Sequence, residues 1–334
     1  MAAATSSPGA ARNGARPLFT AQLAAAEARA RSLLCVGLDP EPARFPAAWR
    51  GDARRIFDFC AGIVEATHDL VLAFKPQIAH FAAERAEDQL ERLVAHIRKV
   101  APEVPVILDA KRGDVGSTAQ NYAREAFERY RADAVTLSPF MGSDSLEPYM
   151  RYEGRGLIVL CRTSNPGGAD LQELKLEGGE LLYERIARLA ANEWSTRCGG
   201  QLGLVVGATY PRELARVREL APRLPLLIPG IGAQGGDAEA TVHAGWRADA
   251  PVIVSSSRAV LYAGQEGQSG PSDQNGPNGE HAKGRPPFRR GARRRRRQRG
   301  NCCSARAAAP EALRALLRWP SRRWQHRAPS STRR

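Results

Sequence analysis

Eight short apolar runs, spread over the first 264 residues of a 334-residue chain, place the strongest limit on its fold. They are Leu33–Leu38, Leu70–Phe74, Val104–Leu108, Ala134–Leu137, Gly156–Cys161, Leu202–Gly207, Leu226–Ile231 and Val252–Ser255. Each has the length of a buried strand. Most are continuously apolar rather than alternating, as parallel strands covered on both faces require. Helical stripes separate them: Ile56, Phe59, Cys60, Ile63 and Val64; Leu90, Leu93, Val94 and Ile97; Leu182, Ile186, Leu189 and Ala190. This alternation predicts a (β/α)8 TIM barrel over residues 17–264. A doubly wound sheet can use the same alternation. The polar residues favour the barrel, because they follow the ends of nearly every run. Asp39 follows the first, Lys75 the second, Asp109 and Lys111 the third, Thr163 and Ser164 the fifth, Gln234 the seventh and Arg258 the eighth. A barrel gathers such ends into one mouth, whereas an open sheet spreads them along an edge.

The densest chemistry lies behind the third run, in Leu108-Asp109-Ala110-Lys111-Arg112-Gly113-Asp114-Val115-Gly116. Asp109 and Lys111 are two apart, so an extended segment points both to one side. Asp114 follows on the loop, near enough to reach the same site or a neighbouring one. A lysine held between carboxylates stays charged and becomes a positioned proton donor, and a fixed carboxylate repels an anionic group on a substrate. Such a set suits the formation and protonation of a carbanion. A bare D-x-K-x-x-D pattern also describes a surface salt-bridge cluster, but its place behind a buried strand and beside Gly113 and Gly116 favours a site. Lys75, in Phe74-Lys75-Pro76-Gln77, extends the row to Lys75–Asp109–Lys111–Asp114, in which opposite charges separate like ones. Ser117 with Gln120 reads as a capping box for the helix that follows.

Pro229-Gly230-Ile231-Gly232-Ala233-Gln234-Gly235-Gly236-Asp237 contains G-x-G-x-x-G. It falls late in the chain, and no acidic residue ends the next run, so it fits a dinucleotide poorly. In a barrel the loops after strands seven and eight form a phosphate site. Backbone N–H groups around Gly232 and Gly235 are then the donors, with Gln234 beside them and Arg258 as a bidentate charge. Asp39, before Pro40, suits ribose hydroxyls, or simply opens a turn. Thr163-Ser164-Asn165 offers hydroxyl and amide groups for a base edge.

The formal charge of +14 suggests nucleic acid until it is located. Gln265–Arg334 holds 17 Arg and 1 Lys against 4 acidic residues, which leaves 31 basic and 31 acidic residues in the body. The tail, Gly- and Pro-rich and then basic through Arg293–Arg297, is predicted to be mostly disordered. Within it, residues 304–317 have a helical pattern: either the closing helix of the barrel, displaced by an insertion, or chance in an Ala/Arg-rich sequence. Residues 1–16 are expected to be a disordered leader, although their Ala, Ser and Arg content also mimics a transit peptide. The six cysteines form no C-x-x-C pair, and Cys35 and Cys161 lie in apolar runs, so free thiols in a cytoplasmic protein are expected. No apolar run approaches the ~20 residues of a membrane span. The histidines show no metal-ligand spacing, and Trp194 and Trp246 read as packing residues.

Together these motifs closely resemble the orotidine 5′-phosphate decarboxylase family, in its longer bacterial subgroup. They are Leu-Cys-Val-Gly-Leu-Asp, Phe-Lys-Pro-Gln, Leu-Asp-Ala-Lys-Arg-Gly-Asp-Val-Gly-Ser-Thr, Pro-Gly-Ile-Gly-Ala-Gln-Gly-Gly and Ser-Ser-Arg-Ala-Val-Leu-Tyr-Ala. The resemblance covers residues 17–264. It implies a homodimeric barrel that converts orotidine 5′-phosphate to uridine 5′-phosphate and CO2, the last step of de novo pyrimidine synthesis, without metal or organic cofactor. By resemblance, Lys111 stabilises and protonates the C6 carbanion, and Asp109 stands against the substrate carboxylate. Asp114 and Thr118 cross the dimer interface. Lys75 and Asp39 contact the ribose, Gln234 and Arg258 grip the phosphate, and Ser164 meets the pyrimidine. The departure is the basic stretch that follows Leu261-Tyr262, where the family's last helix belongs. Two other readings stand beside this one. A related phosphosugar decarboxylase sharing D-x-K-x-x-D would use Mg2+, which the cation of Lys75 disfavours. Nucleic-acid binding through the tail is disfavoured, because its basic stretch carries no nucleic-acid-binding motif.

Overall fold

The computed structural model describes residues 17–231 and 238–263. The expected leader, the tail with its 304–317 pattern, and Gly232, Gln234 and Gly235 of the expected phosphate loop lie outside the described residues. Eight parallel strands form the fold: β1 (Leu34–Leu38), β2 (Ala73–Pro76), β3 (Ile107–Arg112), β4 (Ala134–Leu137), β5 (Gly156–Arg162), β6 (Leu202–Val206), β7 (Leu226–Pro229) and β8 (Val252–Ser256). Their order is β2-β1-β8-β7-β6-β5-β4-β3. β2 and β3 meet through the parallel bridges Phe74–Val106 and Gln77–Asp109, with the Phe74 N–H donating to the Pro105 carbonyl at 3.0 Å. The sheet therefore comes round on itself as a TIM barrel.

Strand alternation sorts the side chains into two apolar layers. Leu34, Val36, Leu38, Phe74, Leu108, Val135, Leu157, Val159, Leu204, Leu226, Val252 and Val254 face the surrounding helices. Cys35, Ala73, Ile107, Ala134, Ile158, Val205, Leu227 and Ile253 fill the interior. Two residues further along three of the strands, the inward positions become polar: Lys75, Asp109 and Thr136 are all buried. The barrel is thus an apolar cylinder with a charged lid at its C-terminal end.

The lower end is closed by a helix not anticipated from the sequence, Phe19–Ala30, whose Phe19, Leu23 and Ala26 join the interior cluster. Their i, i+4, i+7 spacing was visible but fell beside an Ala-rich leader that masks it. Gly156 makes room for this plug, since a methyl there would lie 2.3 Å from Phe19 Cδ1 and 2.7 Å from Ala134 Cβ. At the β8–β1 seam, Tyr262 lies within stacking range of Phe59, which stacks on Phe45. The Tyr262 hydroxyl accepts the Glu41 N–H at 2.8 Å, and Arg44 lies over its ring. The seam is sealed by residues that precede the basic tail.

Several sequence expectations are corrected. β2 and β3 begin later than the apolar runs, at Ala73 rather than Leu70 and at Ile107 rather than Val104, because pairing with β1 and β4 starts there. Lys75, Asp109 and Lys111 lie toward the C-terminal ends of these strands, where the sequence put them. The helix Gly116–Arg124 has Val115 at its N-cap with no side-chain cap, so Ser117 lies inside the first turn and the capping box does not form. In the helix Leu182–Leu189 the buried face is Tyr183 and Ala187, with Leu182, Ile186 and Leu189 only half-buried. A π-helical stretch, Ala190–Trp194, continues it and carries the burial on to Ala190 and Trp194.

Gly156→Ala should destabilise the barrel by overpacking, by about 1–3 kcal/mol, read as a lower denaturant midpoint. Phe19→Leu in the same chain should recover part of the loss. An unchanged midpoint in Gly156→Ala would mean the plug does not pack as described.

Candidate active site

The polar layer is centred on Asp109. Lys75 Nζ donates to its Oδ2 at 2.7 Å and Lys111 Nζ to its Oδ1 at 2.6 Å. Lys75 is only 5% exposed and Asp109 only 6%, whereas nearly half of the Lys111 side chain reaches solvent. Burial pulls the Lys75 ammonium down, but the charges of Asp109 and Asp39 outweigh it and hold the group above the usual lysine range. Burial alone would raise Asp109. Lys75 and Lys111 reverse this and hold the carboxyl far below the usual carboxylate range. Lys75 and Asp109 are therefore both ionised at neutral pH, fixed in a water-poor setting where their fields are strong.

The backbone beneath them is irregular. Between Leu108 and Arg112 of β3, four steps of chain are set against two on β4, from Val135 to Leu137. Lys111 has φ of 47°, in the left-handed region that a residue with a Cβ enters at a cost. Asp109 and Lys111 do meet, as their spacing suggested, but through a bulge rather than a regular extended strand. A residue that sequence reasoning missed holds this bulge. Thr136 Oγ1 accepts the N–H groups of both Ala110 and Lys111 at 3.0 Å, and donates to Asp109 Oδ1 at 2.8 Å. The available signal was its register: within Ala134-Val135-Thr136-Leu137, Thr136 shares the inward parity of Ala134.

Asp114 does not join the row. Among the described residues it makes no ion pair, and its carboxylate accepts the adjacent Val115 N–H at 2.8 Å. Thr118 is exposed on the helix after it. Val115, next to Asp114 in the chain, is exposed, as are Phe140 and Met141 of the loop after β4, Phe140 by 80%. The loop after β3 and the loop after β4 adjoin, with the Ser138 N–H donating to the Arg112 carbonyl at 2.7 Å.

Asp39, at the end of β1, is held by Ser257 from the end of β8, whose hydroxyl donates to its Oδ2. Its Oδ1 is buried and, among the described residues, has no partner. Gly37 permits this arrangement, because a methyl there would lie 2.8 Å from Ser257 Oγ. Arg258 is exposed at the start of the short helix Arg258–Leu261.

Ser164 is placed by its surroundings. Its backbone presses on Gly207, where a Cβ would come within 2.7 Å of Ser164 Cα, and its carbonyl accepts from Thr209 Oγ1 at 3.3 Å. The loop that follows is anchored by Arg162, buried at the end of β5. Its guanidinium donates to the Thr163 carbonyl at 2.8 Å and to Glu173 Oε1 at 2.5 Å, and lies over the Tyr210 ring at 3.9 Å. Gln172 Oε1 accepts the Thr163 N–H at 2.8 Å and closes the loop.

Residues 32–270 match the model of the orotidine 5′-phosphate decarboxylase / HUMPS family. The chain belongs to this family. It is 70% identical over 258 residues to the orotidine 5′-phosphate decarboxylase of Methylibium petroleiphilum, covering 75% of this chain and 92% of the relative. It is also 70% identical over 248 residues to that of Polaromonas naphthalenivorans, covering 73% and 87%. The solved structure of Leishmania donovani OMP decarboxylase superposes with a TM-score of 0.65 at 42% identity, covering 74% of this chain and 92% of that one. Within this decarboxylase family fold, no helix among the described residues is long and apolar enough to cross a membrane. No cluster of three or more His, Cys, Asp or Glu among them could hold a metal.

Asp109→Ala should leave the buried Lys75 ammonium without its nearest counter-charge and cost about 3 kcal/mol of stability, the scale of breaking a buried pair. The check is a denaturant midpoint compared with that of a Lys75→Met/Asp109→Ala double variant, which should recover most of the loss. Equal midpoints for Asp109→Ala and the unaltered chain would show that the pair carries no net stabilisation.

Proposed function

We propose that this carboxy-lyase, converting orotidine 5′-phosphate to uridine 5′-phosphate and CO2 in pyrimidine biosynthesis, works through Lys111 held against Asp109. The observation that carries this reading is the Lys75–Asp109–Lys111 cluster, with one lysine buried and one half-exposed on the same carboxylate. The substrate's carboxylate lies toward Asp109. The bond from C6 to that carboxylate breaks, CO2 leaves, and the electron pair stays on C6. The Lys111 ammonium stabilises this charge and delivers a proton to C6; the resulting amine regains a proton from solvent. The pyrimidine ring cannot delocalise the C6 pair, so charges placed before the reaction must do the work, and no step calls on a metal or organic cofactor.

The remaining residues take roles in binding. The unpartnered Asp39 Oδ1 suits a ribose hydroxyl, with Lys75 beside it. Arg258, with Gln234 and the backbone around Gly232 and Gly235, takes the phosphate, whose binding energy orients the distant reacting carbon. Ser164, on its anchored loop, reads the pyrimidine edge. Asp114 and Thr118 serve the site of a second copy. Two features support this: the Asp114 carboxylate, which within one chain takes only the Val115 N–H among the described residues, and the exposed apolar side chains of Val115, Phe140 and Met141. The buried cysteines are free thiols, which suits the cytoplasm.

Lys111→Ala should lose essentially all turnover while keeping affinity for uridine 5′-phosphate, measured by orotidine 5′-phosphate absorbance and by calorimetry; near-normal turnover would end the proposed role. Full activity is expected in EDTA, and a loss reversed by Mg2+ would favour the metal-dependent alternative. Inactive Lys111→Ala and Asp114→Ala chains, when mixed, should regain activity through one composite site per mixed dimer. Mixtures as inactive as their parents would show that the site is not shared.

A further inference from the structure

We propose that Thr136 is the positioning residue that sets the distance between the Asp109 carboxylate and the Lys111 ammonium, and so the rate of the decarboxylation step. The proposal rests on the roles given above to Asp109 and Lys111. Its basis is the hydrogen-bond valence of one hydroxyl. An alcohol oxygen offers one proton and two lone pairs. Here both lone pairs receive backbone N–H groups, from Ala110 and Lys111, and the proton goes to Asp109 Oδ1. Because both acceptor positions are filled by N–H donors, the hydroxyl proton has only the carboxylate to meet.

Each bond has a separate consequence. The bulge of β3 withdraws the Ala110 and Lys111 amides from regular pairing with β4, and a buried amide left unpaired is costly. Thr136 replaces that lost pairing, and in doing so supports the left-handed backbone of Lys111, which a residue with a Cβ enters at a cost. Its third bond orients the carboxylate plane and adds a donor that favours the ionised form. Lys111 then approaches Asp109 Oδ1 on the same oxygen that Thr136 holds. Val135 and Leu137, on either side, face the outer apolar layer and cannot substitute. No residue of this set is one proposed above to meet the ribose or the phosphate, so its loss should act on the chemical step rather than on binding.

The test is a series at one position: Thr136→Val, isosteric without the hydroxyl; Thr136→Ser, keeping it without the methyl; and Thr136→Cys, small with only a weak donor and acceptor. Thr136→Val should lower kcat by about 100-fold, the scale of an ångström-level misplacement, with KM and uridine 5′-phosphate affinity changed by less than about threefold. Thr136→Ser should stay within about threefold of the unaltered kcat, with Thr136→Cys well below it. If Thr136→Val does not fold, the Ser and Cys pair carries the comparison alone. Equal kcat in Ser and Cys, or a loss in Thr136→Val confined to KM, overturns the proposal. Lys111→Ala, assayed alongside, separates the two readings. An active Lys111→Ala chain removes the proposed role of Lys111, whereas an inactive one beside an active Thr136→Val removes only the role of Thr136.

Discussion

A carboxylate buried between two ammonium groups is the interaction on which the rest of the site depends. Asp109 and Lys75 are both almost fully removed from solvent, and each alone would be costly to bury as an ion. Together they repay part of that cost, provided geometry is good, and the barrel supplies it. β2 and β3 are adjacent, their inward positions alternate in step, and the bridge from Gln77 to Asp109 fixes their relative height. An apolar layer from Cys35 to Ile253 lies beneath, closed below by Phe19. The pair thus rests on a dry floor, where water cannot soften its field.

The second constraint is local. A regular β3 would keep its amides in the ladder to β4 and continue straight past Asp109. The bulge bends the chain at Ala110 and Lys111, and the cost of the bend is met by one side chain on the neighbouring strand. A parallel sheet with an inward hydroxyl at that register can bear a left-handed lysine; one with an inward apolar residue would leave two amides unpaired. The geometry of the catalytic strand is therefore written partly in the sequence of the next one.

That division explains what was legible in the sequence. Continuous apolar runs gave the eight strands, and the helical stripes at Ile56–Val64 and Leu90–Ile97 match buried faces. Asp109, Lys111, Lys75 and Asp39 stood out because charges beside apolar runs are rare without purpose. Thr136 and Ser257 did not. Their value comes from neighbours 25 to 27 residues away along the chain for the one, and over 200 for the other, and a hydroxyl in a strand or turn is unremarkable until those neighbours are placed. The plug helix hid for a different reason, since its Phe19, Leu23 and Ala26 are separated by small residues that resemble the leader before them. Asp114 was read into this site or a neighbouring one; within one chain it makes no ion pair among the described residues, and its carboxylate accepts the Val115 N–H.

The two lysines on Asp109 differ in a way that suits unequal tasks. Lys75 comes from the neighbouring strand and is buried, so its ammonium is a permanent counter-charge. Lys111 comes from the bulge itself and is half in solvent, so its long side chain can lean away without exposing apolar surface. In the proposed mechanism Lys111 leaves the carboxylate to meet a carbanion, and Lys75 then remains as the counter-charge that keeps Asp109 ionised. With Lys75 and Thr136 both holding Asp109, its charge and orientation persist whichever way Lys111 leans. Under the mechanism proposed above, Lys111 can then deliver its proton while the charge and orientation of Asp109 stay fixed, which is the condition for stabilising a transition state more than the bound substrate.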